Sequence, residues 1–257
     1  MTKIASTRES ARLTWWSALM FRLVRFLAVS IASRFLFRLE VVGRERTPRE
    51  GSYIVAPGAH RSNIETVIIT AITTRRLRFM GKDSLWSNRL FGWFLSAMGG
   101  FPVHRAGADR QALNLAIEVV ESGEPLVMFP EGTRGQGPTV GELYDGPVYV
   151  AARTQVPILP VGVGGSERAM PSGAKRIRLT KVFLVVGDPI DPLPLTDRGR
   201  VSRRAVREGT AALRETLQDL FELGLGHACR EDESEPEQTC GQPARMGADR
   251  LGNRHVS

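Results

Sequence analysis

Cysteine and histidine are scarce in this chain. Two cysteines occur in 257 residues, Cys229 and Cys240, both in a polar tail. That composition offers no disulfide framework and no cysteine metal spacing. The four histidines, His60, His104, His227 and His255, are scattered, which argues against a metal cluster. Long apolar runs are missing too. The longest uncharged run near the N-terminus, Leu13 to Phe21, falls far short of the ~20 residues a spanning helix needs. No small-residue cleavage site follows a single clean apolar core, so a signal peptide is not expected. There is no internal repeat. There is also no G-x-S-x-G elbow: Gly164-Gly165-Ser166-Glu167-Arg168 lacks the closing glycine, and no serine nucleophile is expected.

Positive charge is plentiful, and it is unevenly placed. The chain carries +8 overall, and in its first fifty residues ten lysines and arginines face four acids, leaving +6 there. Trp15, Trp16, Phe21, Phe26, Phe35 and Phe37 are interleaved with them. Basic and aromatic residues on a helical segment suit an anionic membrane interface; a basic amphipathic helix packed on the domain is the alternative. No nucleic-acid-binding motif accompanies the charge, so nucleic acid is not an expected partner. Short apolar runs then follow one another: Tyr53–Val55, Leu77–Met80, Phe101–Val103, Leu126–Phe129, Ile158–Val161 and Val182–Val186. They read as strands covered on both faces. Helical stretches fall between or after them, near Arg89–Ala97, Arg110–Glu121, Gly146–Arg153 and Ser202–Leu223. The pattern predicts an α/β fold, one layered domain with a central, largely buried mixed sheet flanked by helices. The predicted division is a basic aromatic membrane-interface arm over 1–40, a domain over 41–224 and a disordered, acid-leaning tail over 225–257.

Two compact motifs carry chemistry. In Gly58-Ala59-His60-Arg61-Ser62-Asn63-Ile64-Glu65 a carboxylate follows a histidine by five residues. Such a spacing does not meet well within a continuous helix. It meets if His60 lies just before a helix and Glu65 lies in its first turns. Ala56-Pro57-Gly58 breaks structure, Ser62 or Asn63 can cap, and Ile64, Val67, Ile68 and Ala71 give an apolar helical face. A histidine so paired can take a proton from an alcohol while the carboxylate fixes its tautomer. The plain alternative is a loop histidine beside a helix-start Glu that favours the dipole. The second motif, Phe129-Pro130-Glu131-Gly132-Thr133-Arg134, follows a buried strand, where open α/β sheets bind ligands. Gly132 permits close backbone approach, and Arg134 offers a donor fork suited to phosphate; a solvated surface turn is its alternative. Between them, Gly99-Gly100-Phe101-Pro102-Val103-His104-Arg105 places Arg105 as a second phosphate clamp. Val156-Pro157-Ile158-Leu159-Pro160-Val161-Gly162 reads as core that shapes the site.

These four blocks, in this order, resemble the glycerolipid acyltransferase family, in particular its 1-acylglycerol-3-phosphate acyltransferases. His60 to Glu65 corresponds to the first motif, of N-H-x-x-x-x-D type. Gly99, Val103 and Arg105 match the second, Phe129 through Arg134 the third without a change, and Val156 to Val161 the fourth. The likeness spans roughly residues 35 to 220; the third block is highly specific, the first only in company. It implies that His60 is the general base with Glu65 as its partner. It implies further that Lys82, Arg105, Glu131, Gly132, Thr133 and Arg134 hold the substrate, though Lys82 also reads as a solvated turn residue. The acyl group would come from a coenzyme A or acyl carrier protein thioester, with no cofactor, and go to a lysophospholipid, giving phosphatidic acid by direct attack. Backbone N–H groups near the helix start would serve the oxyanion. The expected place is the cytoplasmic face of the cell membrane, peripherally bound; no oligomeric state is indicated. The sequence departs from the family at Glu65, where aspartate is usual. That departure keeps two alternatives open, a different acceptor such as glycerol 3-phosphate or another lysolipid, and an impaired lipid-phosphate binding protein.

Overall fold

The run Ile54–Pro57 (β2) is buried at every position, and its side chains alternate between two cores. Ile54 and Ala56 join one apolar cluster, Tyr53 and Val55 the other. That division is what the two-residue period of a strand gives when helices cover both faces. The computed structural model describes residues 38–62, 64–103, 110–133, 135, 137, 139–170, 178 and 180–230, together with 19, 22, 23 and 26.

Around β2 the sheet is built from β1 (Glu40–Val42), β3 (Arg78–Lys82), β4 (Gly100–Val103), β5 (Leu126–Val127), β6 (Ile158–Gly164) and β7 (Phe183–Val186). Seven strands lie in the order β1-β7-β6-β2-β5-β3-β4. Every pairing is parallel except β6 with β7, so the sheet is mixed, as expected. The six apolar runs all appear in it. β1, too short and too polar to read as a strand, was not expected; it pairs with β7 through Val41 opposite Leu184.

The helices are α1 (Glu65–Ile68), α2 (Arg89–Ala97), α3 (Arg110–Glu121), α4 (Gly146–Thr154), α5 (Ser166–Ala169) and α6 (Arg203–Arg230). Buried residues of α3, α4 and α6 cover one face of the sheet, while those of α1, the 3₁₀ turn that continues it, and α5 cover the other. α6 buries Leu213, Leu217, Leu220 and Phe221, spaced as one stripe of a helix. Its length corrects the expected tail boundary at 225. The apolar stripe persists through Ala228, which is buried, and keeps the chain helical to Arg230. The remainder of the expected tail, 231–257, and most of the expected arm lie outside the described residues. Of the arm, Leu19, Leu23 and Phe26 are helical and well exposed. No helix among the described residues is long and apolar enough to cross a membrane.

Candidate active site

β6, β2 and β5 are adjacent and parallel in the middle of the sheet, so the loops leaving their carboxyl ends meet at one edge. The loop after β2 carries His60, the loop after β5 carries Glu131, and the turn after β6 begins α5 with Ser166. This is where an open α/β sheet places a ligand site.

His60 lies just before α1, and Glu65 is the first residue of that helix. The His60 ring nitrogen Nδ1 and Glu65 Oε2 are 2.5 Å apart. The predicted meeting across five residues therefore occurs, through a loop rather than a helix turn. Glu65 is 1% exposed and is satisfied on all sides. Oε1 accepts from the backbone N–H of Arg61 at 2.9 Å and of Ser62 at 2.9 Å, and from the Ser166 hydroxyl at 2.5 Å. With His60 these are four donors for the roughly four acceptor sites of a carboxylate. A buried charge is tolerated only when it is bonded in this way. Donation from Nδ1–H to Glu65 leaves the other ring nitrogen, Nε2, with its lone pair. The ring also packs on Phe129, centroid to centroid 4.2 Å.

Glu131 stands differently from its expected role on the substrate. Its side chain is 4% exposed and turned into the protein. Oε1 accepts from the His60 backbone N–H at 2.8 Å, and Oε2 accepts from Gly141 N–H at 3.1 Å and from Arg61 Nη1 at 3.5 Å. Arg61 is itself buried, and its Nη2 donates to the Thr139 carbonyl at 2.5 Å. A carboxylate so engaged positions the His60 loop, and facing a substrate phosphate it would repel it. Gly132 does need its glycine: φ is +66° and an added Cβ would lie 2.7 Å from the Tyr144 ring.

Among the described residues, the backbone N–H groups just before α1, expected as oxyanion donors, are also used otherwise. The N–H groups of His60, Arg61 and Ser62 all go to carboxylates, and that of Ile64 faces Ser62 Oγ at 3.4 Å. Val67, expected on the buried face, is 47% exposed, one residue and so about 100° around α1 from the buried Ile68. Lys82 is exposed at the carboxyl end of β3, two strands from β2 and so about 10 Å across the sheet. Thr133 is exposed beside an open cavity of about 450 Å³ whose wall also holds Glu131, Gly135, Glu142 and Tyr144. Arg105 and Arg134 lie outside the described residues, as does Asn63. The residues preceding the two arginines, Val103 at the end of β4 and Thr133 after β5, bring the chain to this same edge. Among the described residues no group of histidines, cysteines and acids could hold a metal. Ser166 and Arg61 were the residues that motif reading passed over. The only signal for Ser166 was its place just after the fourth block.

A family model described as Acyltransferase matches residues 38–164. The chloroplastic 1-acyl-sn-glycerol-3-phosphate acyltransferase BAT2 of Brassica napus is 28% identical over 153 residues, 59% of this chain and 44% of the relative. The chain thus spans less than half of that relative's length. The 1-acyl-sn-glycerol-3-phosphate acyltransferase of Bacillus subtilis is 24% identical over 183 residues, 71% of this chain and 87% of that one. Among solved structures, the 1-acyl-sn-glycerophosphate acyltransferase PlsC of Thermotoga maritima aligns with a TM-score of 0.62 at 24% identity, covering 85% of this chain and 81% of its own; that likeness speaks for the fold.

Proposed function

Residues 38–164 belong to the acyltransferase family, and from that premise we propose that the chain transfers an acyl group from a thioester to the free hydroxyl of a 1-acylglycerol 3-phosphate. The product is phosphatidic acid, which places the reaction in phospholipid biosynthesis. His60 Nε2 takes the hydroxyl proton as the oxygen attacks the thioester carbonyl. The C–O bond forms, the C–S bond of the collapsing adduct breaks, and the leaving thiolate takes the proton back from the imidazolium, which returns His60 to its neutral form. Glu65 stabilises the imidazolium between these two transfers. The donor is carried by coenzyme A or by acyl carrier protein, and no cofactor takes part. Arg105 and Arg134 hold the acceptor phosphate, with Lys82 adding charge from the next strands. Thr133, on the wall of the open cavity, and Gly132 next to it in the chain complete the acceptor site.

The observation that carries this reading is the 2.5 Å contact of His60 Nδ1 with a buried, fully bonded Glu65. That contact leaves one basic nitrogen on a ring which is only 15% exposed. The satisfied carboxylate also favours a working base over an impaired binding protein, since the longer side chain reaches all its partners. Binding at the cytoplasmic face of the membrane fits the basic N-terminal arm and the exposed Leu19, Leu23 and Phe26. α2 adds Leu90, Phe91 and Trp93, exposed on the surface.

The test is acyl transfer by the purified full chain from labelled acyl-coenzyme A and acyl carrier protein thioesters to a panel of acceptors. The panel holds 1-acylglycerol 3-phosphate, glycerol 3-phosphate and other lysolipids. Preferred formation of phosphatidic acid supports the proposal. Preference for another acceptor moves the substrate within the class, and no transfer from either donor refutes the activity.

A further inference from the structure

A second cavity, of about 590 Å³, opens between the first turns of α3, α4 and α6. Arg110, Arg203 and Arg207 line it, all exposed. None of the three has an ion-pair or hydrogen-bond partner among the described residues. Its remaining wall is largely apolar, with Leu113, Tyr149 and Val206. The acid there, Asp145, is engaged by the Thr210 hydroxyl at 2.8 Å. Three guanidinium groups with no ion-pair partner among the described residues, set around one concavity, repel each other, and a bound polyanion relieves that repulsion. The apolar wall requires more than a bare phosphate. A flat base beside several phosphate charges satisfies both. The volume falls within the roughly 300–1,000 Å³ usual for small-molecule sites. An acidic protein surface would need the arginines but not the hollow.

The position matches a donor site. α3 and α4 run back from the carboxyl edge of the sheet to feed β5 and β6, so their first turns sit at the edge where His60 stands. Tyr144 lines the cavity beside Glu131, and the next residue, Asp145, lines this one. We propose that this cavity binds the phosphorylated adenosine end of a coenzyme A thioester, leaving the flexible pantetheine arm to carry the acyl group towards His60. This inference rests on the acyltransferase reading above.

The test has a binding arm and a kinetic arm, both with the full chain and with the triple variant Arg110→Gln, Arg203→Gln, Arg207→Gln. These positions are exposed, so the variant is expected to fold, and its circular dichroism and melting temperature check that it does. Calorimetric titration uses adenosine 3′,5′-bisphosphate and coenzyme A as probes. Both are expected to bind the unaltered chain and to lose at least about tenfold in affinity in the variant, the equivalent of one charged contact. In kinetics, the ratio of kcat/KM for acyl-coenzyme A over S-acyl-pantetheine, which lacks the nucleotide, should fall by about tenfold or more. Equal affinity of both proteins for the probes, no binding by either, or an unchanged ratio overturns the proposal. So does a loss seen only with acyl carrier protein thioesters, which would assign the arginines to a protein partner. If the probes bind and the variant loses them while the unaltered chain transfers no acyl group, the site stands and the activity reading fails.

Discussion

Glu65 uses the full length of its side chain. From the first residue of α1 it reaches His60, two backbone N–H groups and the Ser166 hydroxyl at once. From the sequence, an aspartate restored here would be expected to keep activity, since a carboxylate remains. The observed contacts give the opposite expectation. Withdrawing the carboxylate by one methylene displaces it by roughly an ångström, and displacements of that size can cost about 10²-fold in rate. Glu65→Asp should therefore lower kcat by about tenfold to a hundredfold with the melting temperature little changed. Glu65→Gln should cost at least as much, because its amide NH₂ must face donors. Ser166→Ala removes one donor to the same carboxylate and should lower kcat by about tenfold with acceptor KM held, a split that steady-state kinetics resolves. Glu131→Gln weakens both the His60 backbone contact and the Arg61 pair. It should lower kcat more than it raises acceptor KM; the reverse would return Glu131 to the substrate.

At the level of elements, β6 and α6 decide how tightly the molecule closes. The β6 positions facing α6 include Gly162 and Gly164. A Cβ on either would overlap backbone atoms of α6, at Leu220 and Gly224 respectively. No rotamer relieves such a clash, so the helix must lift from the sheet. Gly162→Ala and Gly164→Ala should each destabilise by about 1–3 kcal/mol, measurable by denaturant unfolding. A neutral result would show that α6 slides freely over the sheet. The strands were legible because each is a short apolar run buried on both faces, and α2 and α3 because their helical stretches end at clear breaks. β1 was not legible, since its pairing with β7 brings together residues far apart in the chain. The end of α6 was misjudged because Gly224, Gly226 and the acids after Arg230 dilute the apolar signal, while Ala228 still packs. In the site, the His60–Glu65 pairing was legible because it lies within six residues. The roles of Ser166, Arg61 and Glu131 were not, because each depends on which strands lie side by side.

For the whole molecule, positive charge is concentrated in the N-terminal part of the sequence. The first fifty residues hold +6 of the net +8, and polybasic contacts near an anionic bilayer contribute about 1 kcal/mol per residue. Truncation before Glu40 should abolish sedimentation with anionic vesicles while a short-chain soluble acceptor is still acylated. Replacing the arm's arginines should weaken vesicle binding in a way that low salt partly restores, because screening falls. Replacing Trp15, Trp16, Phe21 and Phe26 by Ala should not be rescued by salt. Unaltered sedimentation of the truncated chain would instead favour an arm packed on the domain. The central claim is that His60 is the base in an acyl transfer. Its most direct measurement compares His60→Ala with the unaltered chain for formation of phosphatidic acid from labelled acyl thioester and 1-acylglycerol 3-phosphate. Equal melting temperatures serve as the control. The account predicts a fall of about 10²- to 10⁴-fold in kcat, the usual weight of a general base. A His60→Ala rate within a few-fold of the unaltered chain would contradict it.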